Sequence, residues 1–358
     1  MILNQYVSKN IIFDCERMKY PYTGLYYFCK ELGNALLRQK LPGDNIAFYL
    51  PEKEKNVFGK EQKYFIQNHL HKFFPKNVSR YDIWHCTYQG TNYLPPARSK
   101  VKVITTIHDL NFLHQGKSEG KQNKYLQRMQ RLIDRSDAIV TISNFVKDQV
   151  LENLETGSKK IEVIYNGRNS PAVLSFKKPK AVNCRPFFFT IGTITDKKNF
   201  HVLAAMLLNN DYDLVIAGIT QSQNYYTRIV EEARSLGVEN RVKMIGTVTE
   251  AEKYWLFKNC AAFCFPSLAE GFGLPVIEAM QFGTPVILSK ATSLPEVGGP
   301  HAAYFSALDE ASVNKAATDF LNSTFDETSR ACLINWANRF SWDVAAKKYW
   351  ELYTKISV

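Results

Sequence analysis

Short apolar runs alternate with helix-like segments along the whole chain of 358 residues, and this alternation restricts the fold more than any other feature. Runs of Val, Ile, Phe and Leu without a polar face are typical of parallel strands that helices cover on both sides. Two sets of such runs, one in each half of the chain, predict two Rossmann-like, doubly wound α/β domains. The runs are residues 10–13, 45–50, 101–107, 138–142 and 160–164 in the first half, and 187–192, 214–218, 242–245, 261–265 and 285–288 in the second.

A polar stretch that contains proline separates the two sets of runs, at residues 167–171 and 177–180. Polar segments punctuated by proline are typical of linkers, and 358 residues exceed the length that one hydrophobic core commonly supports. The sequence therefore predicts a first domain over residues 1–178 and a second over residues 179–341. Trp and Tyr at helical spacing in residues 342–358 predict a terminal helix with an aromatic packed face.

Charge is spread unevenly between the two halves of the chain, whose net charge is +11. Residues 1–180 hold 29 Lys and Arg against 16 Asp and Glu, whereas residues 181–358 hold 16 against 18. A basic half beside a near-neutral half indicates that the basic half meets an anionic partner. A membrane surface, a lipid-linked phosphate and nucleic acid are the candidates, and a dispersed solubilising charge is the alternative.

Cysteine usage and hydropathy predict a cytoplasmic protein. The seven cysteines are scattered and form no CxxC pair, which favours free, mostly buried thiols in a reducing compartment. The first 21 residues lack a long apolar run and carry acidic residues early, unlike a secretory signal. No run of about 18 apolar residues occurs, so we expect any contact with a membrane to be peripheral, at the inner face of the cytoplasmic membrane.

Residues 270–278 read Glu-Gly-Phe-Gly-Leu-Pro-Val-Ile-Glu, the motif that says most about function. The apolar run 261–265 before it predicts a buried strand, and Pro275 suits the first turn of a helix. Glu270 is then on a loop and Glu278 about one turn into the helix. Glycine lets the backbone approach a ligand, and amides at a helix start suit phosphate or sugar hydroxyls. Solvated glutamates on an ordinary loop and helix are the alternative.

A second candidate for ligand binding is the loop over residues 191–199. A Phe-rich strand runs into Gly192, then into a polar loop with the pair Lys197 and Lys198, before a helix begins at Phe200. Such loops after strand ends bind ligands in doubly wound sheets, and lysine neutralises a diphosphate. A solvated lysine pair is the alternative.

Three further residues follow strand-like runs. Gly24 opens a predicted helix over residues 25–37, where backbone amides would face a phosphate, although a simple turn explains it equally well. His108 ends a strand and would hydrogen-bond a sugar or phosphate, with a structural histidine as the alternative. Gly246 lies in a strand-turn-helix where a flat base would rest on backbone, and Thr249 as an N-cap is the plainer explanation.

Taken together, these motifs resemble a retaining glycosyltransferase of glycosyltransferase family 4 with the two-domain GT-B fold, of the type that assembles bacterial surface polysaccharide or lipopolysaccharide. The resemblance covers nearly the whole chain in the expected order. It implies that the first domain faces the acceptor, that the second binds a nucleotide-sugar donor, and that the terminal helix packs back on the first. Further matching segments are residues 106–109, 141–145, 163–167, 283–286 and 340–342.

The resemblance also implies roles for individual residues. Glu270 would orient the sugar hydroxyls, Lys198 would neutralise the leaving diphosphate, and His108 would contact the transferred sugar, which makes these three the catalytic candidates. Glu278 would bind the ribose hydroxyls. Many family members carry Arg where this chain has Thr193, which puts the role of that position in doubt. The donor-binding candidates are Gly24, Gly192, Thr193, Lys197, Gly246, Phe272, Gly273, Leu274 and Glu278.

We therefore expect transfer of a hexose, with mannose favoured, from a nucleotide sugar to a glycan or lipid-linked oligosaccharide. GDP-mannose is favoured over a UDP-hexose. We recognise no Asp-x-Asp metal motif on a predicted loop, so we expect neither a metal ion nor another cofactor. A UDP-hexose-dependent transferase of the same fold and a non-catalytic nucleotide-sugar-binding partner subunit are the alternatives.

Two other classes of protein fit the sequence less well. A nicotinamide dehydrogenase would carry GxGxxG after the first strand, and this chain does not. The basic residues form no aromatic-interleaved strand and no zinc module, so nucleic acid is not an expected partner.

Overall fold

The structure, a computed structural model, describes residues 8–21, 23–73, 78–169 and 176–356. The chain forms two compact units. Residues 1–167 and 341–358 make up the first unit, and residues 168–340 make up the second. Within the described residues each unit is built on one sheet whose paired strands are all parallel, which confirms the prediction of two doubly wound α/β domains.

In the first unit the described strands form a seven-stranded sheet in the order β3-β2-β1-β4-β5-β6-β7. The sequence does not predict β3 and β4, whose apolar runs are short: β3 has three apolar residues after Lys63, and His85 interrupts the run of β4. The strands are β1 Asn10–Asp14, β2 Asn45–Leu50, β3 Lys63–Ile66, β4 Ile83–Cys86, β5 Lys102–Ile107, β6 Ala138–Thr141 and β7 Lys160–Val163.

In the second unit the described strands form a six-stranded sheet in the order β10-β9-β8-β11-β12-β13. The five strands predicted from apolar runs are confirmed within one residue at each end, and the two-residue β13 is too short to leave a pattern. The strands are β8 Phe187–Ile191, β9 Asp213–Ala217, β10 Val242–Gly246, β11 Ala262–Phe265, β12 Val286–Leu288 and β13 Ala303–Tyr304.

Several of the described helices begin at a side chain that caps the first turn. At α5, for example, Thr249 accepts a hydrogen bond from the Glu252 amide while the Glu252 carboxylate accepts one from the Thr249 amide, which completes a capping box. Among the described residues no helix is both long and apolar enough to cross a membrane. The α-helices are α1 Gly24–Gln39, α2 Glu119–Arg135, α3 Asn144–Asn153, α4 Gln223–Ser235, α5 Glu250–Asn259, α6 Leu274–Met280, α7 Leu294–Gly298, α8 Glu310–Asn322, α9 Glu327–Ala337 and α10 Trp342–Ile356.

The terminal helix α10 belongs to the first unit, as the family resemblance implies. Its aromatic face is the packed face. Trp350 Nε1 donates to the Leu36 carbonyl of α1 at 3.1 Å, and the Tyr353 hydroxyl lies 2.7 Å from Nδ1 of His85 on β4. Residues 357 and 358 of the predicted helix lie outside the described residues.

The two units divide after Gly167, ahead of the boundary at residue 178 that the sequence predicts. Arg168 makes its contacts within the second unit, which accounts for the difference. Its amide donates to the Phe340 carbonyl at 3.0 Å, and its guanidinium donates to Gln281 and Asn338 at 2.8 Å each. Residues 170 and 171 of the expected linker lie outside the described residues.

Candidate active site

The motif at residues 270–278 lies between β11 and α6, which confirms the predicted strand-loop-helix. Gly273 caps α6 with a left-handed φ of 106°, and a Cβ there would lie 2.9 Å from Cδ2 of Leu294. Only glycine therefore fits this position without strain or displacement. Pro275 occupies the first turn of the helix, as predicted.

Glu270 forms an ion pair with Lys198, 72 residues earlier in the chain. Lys198 Nζ donates to Glu270 Oε1 at 2.6 Å, and the Ser267 hydroxyl donates to the same oxygen at 2.6 Å. Only 11% of the Lys198 side chain and 12% of the Glu270 side chain are exposed. The structure thus brings together the two residues for which the sequence predicts contact with sugar and diphosphate.

Burial and mutual attraction act against each other in this pair. Burial lowers the pKa of Lys198, although the Glu270 charge opposes it. Burial by itself would raise the pKa of Glu270, but attraction by Lys198 and Lys197 holds it below its ordinary value. The lowered pKa of Glu270 keeps its carboxylate ionised near neutral pH.

The backbone around the pair is held by neighbouring loops. The Lys197 carbonyl accepts from the Leu268 amide at 2.8 Å, which joins the lysine loop to the glutamate loop. The Glu270 amide donates to Thr292 Oγ1 at 2.9 Å. Thr292 has a φ of 54°, a rare conformation for a β-branched residue and one that is costly unless its surroundings enforce it. Sequence reasoning missed Thr292, since nothing in its neighbourhood marks a left-handed residue.

The lysine side chain packs over glycine and an aromatic ring. A Cβ at Gly192 would lie 3.2 Å from Lys198 Cε, so a side chain there would crowd the lysine stem. Lys198 Nζ lies 4.6 Å from the centroid of the Phe265 ring, within the range of a cation–π contact. Thr193 is exposed and Lys197 is half-buried.

A second buried ion pair surrounds Glu278 on α6. Its Oε1 accepts from Asn169 Nδ2 at 2.8 Å and from Lys253 Nζ at 3.3 Å. Lys253 also lies 3.1 Å from Glu250 Oε1. Sequence reasoning missed Lys253 and Asn169. The spacing of Glu250 and Lys253 on one helix was visible, but their proximity to Glu278 depends on tertiary packing.

The remaining second-unit candidates contribute backbone. Gly246 ends β10 with a φ of 71°, and its carbonyl accepts from the Gly218 amide at 2.8 Å. The Phe272 side chain is 3% exposed and meets the Phe340 ring edge-on at 5.6 Å, so it serves the core. Leu274 is the first residue of α6.

In the first unit, His108 follows β5 and is 7% exposed. Its Nε2 lies 2.8 Å from the Thr87 carbonyl, which only accepts, so Nε2 carries the proton and Nδ1 is an acceptor. Burial lowers the pKa of His108 to about 4, which makes it neutral near pH 7. Gly24 begins α1, and a Cβ there would meet nothing within 4 Å, so packing alone does not require glycine.

An Asp-x-Asp sequence does occur, at Asp211 and Asp213, contrary to the expectation that no such motif lies on a predicted loop. It lies where β9 begins, at the amino end of the strand, whereas Gly192, Gly246 and the glutamate loop follow carboxyl ends. Across the part of the chain that the structure describes, no group of three or more His, Cys, Asp or Glu side chains is arranged to hold a metal ion.

Comparison with known families and proteins agrees with this fold. The model of Glycosyltransferase Family 4 matches residues 38–170, and the model of Glycosyl transferases group 1 matches residues 174–335. The two matches together span most of both units. The chain therefore belongs to the family 4 glycosyltransferases of GT-B fold, and it is a glycosyltransferase enzyme.

Among characterised relatives, O-antigen chain mannosyltransferase B of Escherichia coli is 24% identical over 93% of this chain and 96% of its own. O-antigen chain mannosyltransferase RfbU of Salmonella typhimurium is 27% identical over 66% of this chain and 65% of its own. Among solved structures, HepE of Anabaena in complex with UDP-glucose superposes with a TM-score of 0.72 at 16% identity, covering 97% of this chain and all of that one. The last similarity concerns the fold alone.

Proposed function

We propose that this glycosyltransferase transfers a hexose, mannose in first place, from a nucleotide sugar to a glycan or lipid-linked acceptor in cell-surface polysaccharide or lipopolysaccharide synthesis. The observation that carries the proposal is the buried pair of Lys198 and Glu270. Buried charges are costly and persist mainly where they serve a function. The two relatives named as O-antigen mannosyltransferases support the choice of sugar and pathway.

The chemistry of donor cleavage matches this pair. When the glycosyl–phosphate bond breaks, positive charge develops at the anomeric carbon and negative charge on the departing diphosphate. The Lys198 ammonium has three donors and uses one on Glu270, so it can also bind the diphosphate. A fixed cation in a water-poor site stabilises that transition state without reorganisation. The Glu270 carboxylate accepts hydrogen bonds from the sugar hydroxyls.

Without a protein nucleophile to form a covalent glycosyl intermediate, retention of configuration requires the acceptor to attack from the face that the diphosphate leaves. In this proposal the departing phosphate itself takes the proton of the attacking hydroxyl. The new glycosidic bond forms as the sugar–phosphate bond breaks, and the nucleoside diphosphate leaves with that proton. In the second unit, Glu278 holds the donor ribose.

Lys198 supplies the charge that a divalent cation would otherwise supply, so the proposed reaction needs no metal or other cofactor. Transfer rates with EDTA and with added Mg²⁺ or Mn²⁺ test this directly. Equal rates are expected. A rate that EDTA abolishes and Mg²⁺ restores would contradict metal-independent transfer.

A donor screen tests the proposed function. Thermal stabilisation of the purified protein is compared for GDP, UDP and ADP, and a ligand at 100 times its Kd stabilises by about 2.7 kcal/mol. GDP-selective stabilisation followed by transfer from GDP-mannose, with an α-linked product, is the expected result. UDP selectivity would favour the UDP-hexose alternative. Binding without transfer of any sugar would favour the non-catalytic partner subunit.

The charge of the first unit supports an acceptor at an anionic membrane. The exposed surface of α2 carries Lys121, Lys124 and Arg131, and Tyr125 beside them is 44% exposed. Each basic residue near an anionic surface contributes about 1 kcal/mol, screened within a Debye length of roughly 10 Å at 0.1 M salt. The protein is therefore proposed to make peripheral contact with the membrane through this surface.

Sedimentation with phosphatidylglycerol vesicles tests the membrane contact. We expect binding at low salt, release at high salt, and weaker binding when Lys121, Lys124 and Arg131 are all changed to Glu. The matched control is Lys290→Glu, an exposed lysine of the second unit. Absence of binding at low salt would indicate a soluble acceptor.

A further inference from the structure

Lys253 is a buried cation that the proposed transfer chemistry does not use. It lies in the first turns of α5, and only 10% of its side chain is exposed. Its ammonium lies between two carboxylates, 3.1 Å from Glu250 Oε1 and 3.3 Å from Glu278 Oε1. Burying a lysine is costly, and this one is directed at the carboxylate to which the proposed function assigns the donor ribose.

The Glu278 carboxylate is held asymmetrically. Lys253 and Asn169 both donate to Oε1, whereas Oε2 accepts no hydrogen bond from any of the residues that the structure describes. Two donors on one oxygen fix the rotation of the carboxylate and direct the other oxygen away from them. A carboxylate oxygen without an internal partner is suited to accept from a ligand hydroxyl.

Lys253 also affects the charge of Glu278. Burial raises the pKa of Glu278, and the nearby Glu250 charge acts in the same direction, while Lys253 and Asn169 oppose them. Burial by itself would lower the pKa of Lys253, but Glu278 and Glu250 together raise it, so the lysine stays charged. Among the residues that the structure describes, these are the side chains that act on the charge of Glu278. Without Lys253, burial and the Glu250 charge would raise the pKa of Glu278, and of these side chains only Asn169 would lower it.

We propose that Lys253 is a positioning residue for the donor nucleotide, which keeps Glu278 ionised and oriented so that its Oε2 accepts the ribose hydroxyls. The inference rests on the proposed role of Glu278. Glu250 is the outer anchor of the lysine, since its side chain is 44% exposed and holds the ammonium from the solvent side. A purely structural lysine would leave nucleotide affinity and its pH dependence unchanged.

The test measures dissociation constants for GDP and, in parallel, UDP by calorimetry between pH 5.5 and 8.5. The variants are Lys253→Met, which keeps the length of the side chain without its charge, and Lys253→Arg as the conservative replacement. The ratio of the variant Kd to the wild-type Kd is used at each pH, because titration of the nucleotide phosphate then cancels.

We expect Lys253→Met to weaken binding at least tenfold at pH 6.5, and the ratio to fall as pH rises and Glu278 ionises. KM for the donor should rise more than kcat falls. Lys253→Arg should restore most of the affinity. A ratio within twofold of one at every pH, or a loss that does not vary with pH, would overturn the inference.

Two further variants separate this inference from the proposed function. Glu278→Gln removes the ribose acceptor itself, so unchanged affinity in that variant, or a wild type that binds neither nucleotide, would overturn both. Weaker binding by Glu278→Gln with unchanged binding by Lys253→Met overturns only the role of Lys253. If Lys253→Met does not fold, Lys253→Gln takes its place. It also removes the charge, so its Kd ratio to the wild type should again exceed one and fall as pH rises, and a ratio that does not vary with pH counts against the inference.

Discussion

One buried polar cluster of the first unit and the candidate site of the second unit hold their polar side chains in opposite ways. In the first unit, His85 is fully buried between the Tyr353 hydroxyl at 2.7 Å and Thr106 Oγ1 at 2.8 Å, and all three groups are neutral. Burial, with a smaller effect of His108, lowers the pKa of His85 to about 3. In the second unit the buried groups of the candidate site are charged and paired.

This difference separates scaffold from site. A satisfied neutral network rigidifies a core, because each donor has an acceptor and no charge is desolvated. A buried ion pair contributes little net stability, since desolvation offsets the attraction. Lys198 and Glu278 therefore keep their ion-pair partners within the protein. A ligand adds a further partner, an anionic group for Lys198 and a hydroxyl for Glu278. Removing a charge in the second unit should impair catalysis or binding, whereas removing a hydroxyl in the first should impair stability.

The largest expected effect concerns Lys198. Changing Lys198 to Ala should lower kcat/KM by roughly 10²-fold or more, as removal of other groups that stabilise transition-state charge does. Steady-state kinetics with the donor identified by the nucleotide screen measure it, and Lys197→Ala is the matched control, with a smaller loss. Kinetics of Lys198→Ala within threefold of the wild type would show that another group holds the diphosphate.

The second prediction concerns the scaffold. Tyr353→Phe leaves His85 Nδ1 without its partner in the core, which should cost about 1–3 kcal/mol in the free energy of unfolding. The activity per folded molecule should not change. Urea unfolding measures the cost, and Tyr125→Phe at an exposed tyrosine is the control. A stable Tyr353→Phe protein with impaired kinetics would reverse the assignment of scaffold and site.

The two glutamates of the motif should separate binding from turnover. Glu278→Ala should weaken nucleotide binding about tenfold or more, whereas Glu270→Ala should chiefly lower kcat, because the two carboxylates face different parts of the donor. Calorimetry with the nucleotide and single-turnover kinetics distinguish the two effects. Equal nucleotide affinity in wild type and Glu278→Ala would remove the ribose assignment.

The smallest expected effect is a pH dependence of stability from His108. Its pKa is about 4 when folded and about 6.5 when unfolded, so below pH 6.5 the unfolded state binds more protons. The contribution of neutral His108 to the free energy of unfolding is therefore fully present above pH 6.5. It is lost with decreasing pH by up to about 1.4 kcal/mol per pH unit. His108→Gln keeps a donor for the Thr87 carbonyl and should lose about 1 kcal/mol less than the wild type between pH 6.5 and 5.5.

Urea midpoints of both proteins at the two pH values measure this difference. Other buried groups, among them Asp14 and Glu16, titrate in both proteins and cancel. Parallel losses of stability in the two proteins would mean that His108 is protonated in the folded state.

The sequence predicts most of what is local and little of what is tertiary. Strands, helix starts and the loop at Glu270 follow from apolar runs, glycine and proline within about ten residues. The pairing of Lys198 with Glu270 depends on β8 and β11 lying side by side, which only the sheet order determines. The contact between Lys253 and Glu278 is equally tertiary. A lysine on α5 gives no sign in the sequence that a carboxylate of α6 lies beside it.

The position of α10 has a consequence for the order in which the protein acquires its structure. Trp350 and Leu36 meet across 314 positions of the sequence, and the whole second unit lies between them. A ribosome releases residues 168–340 before α10 exists, and domains generally fold as units during synthesis. All residues of the second unit are therefore available before the first unit is complete. Until α10 is made, the surface of α1 that α10 covers stays exposed to water. A chain that stalls anywhere after Gly167 and before Trp342 presents that apolar surface to chaperones and proteases.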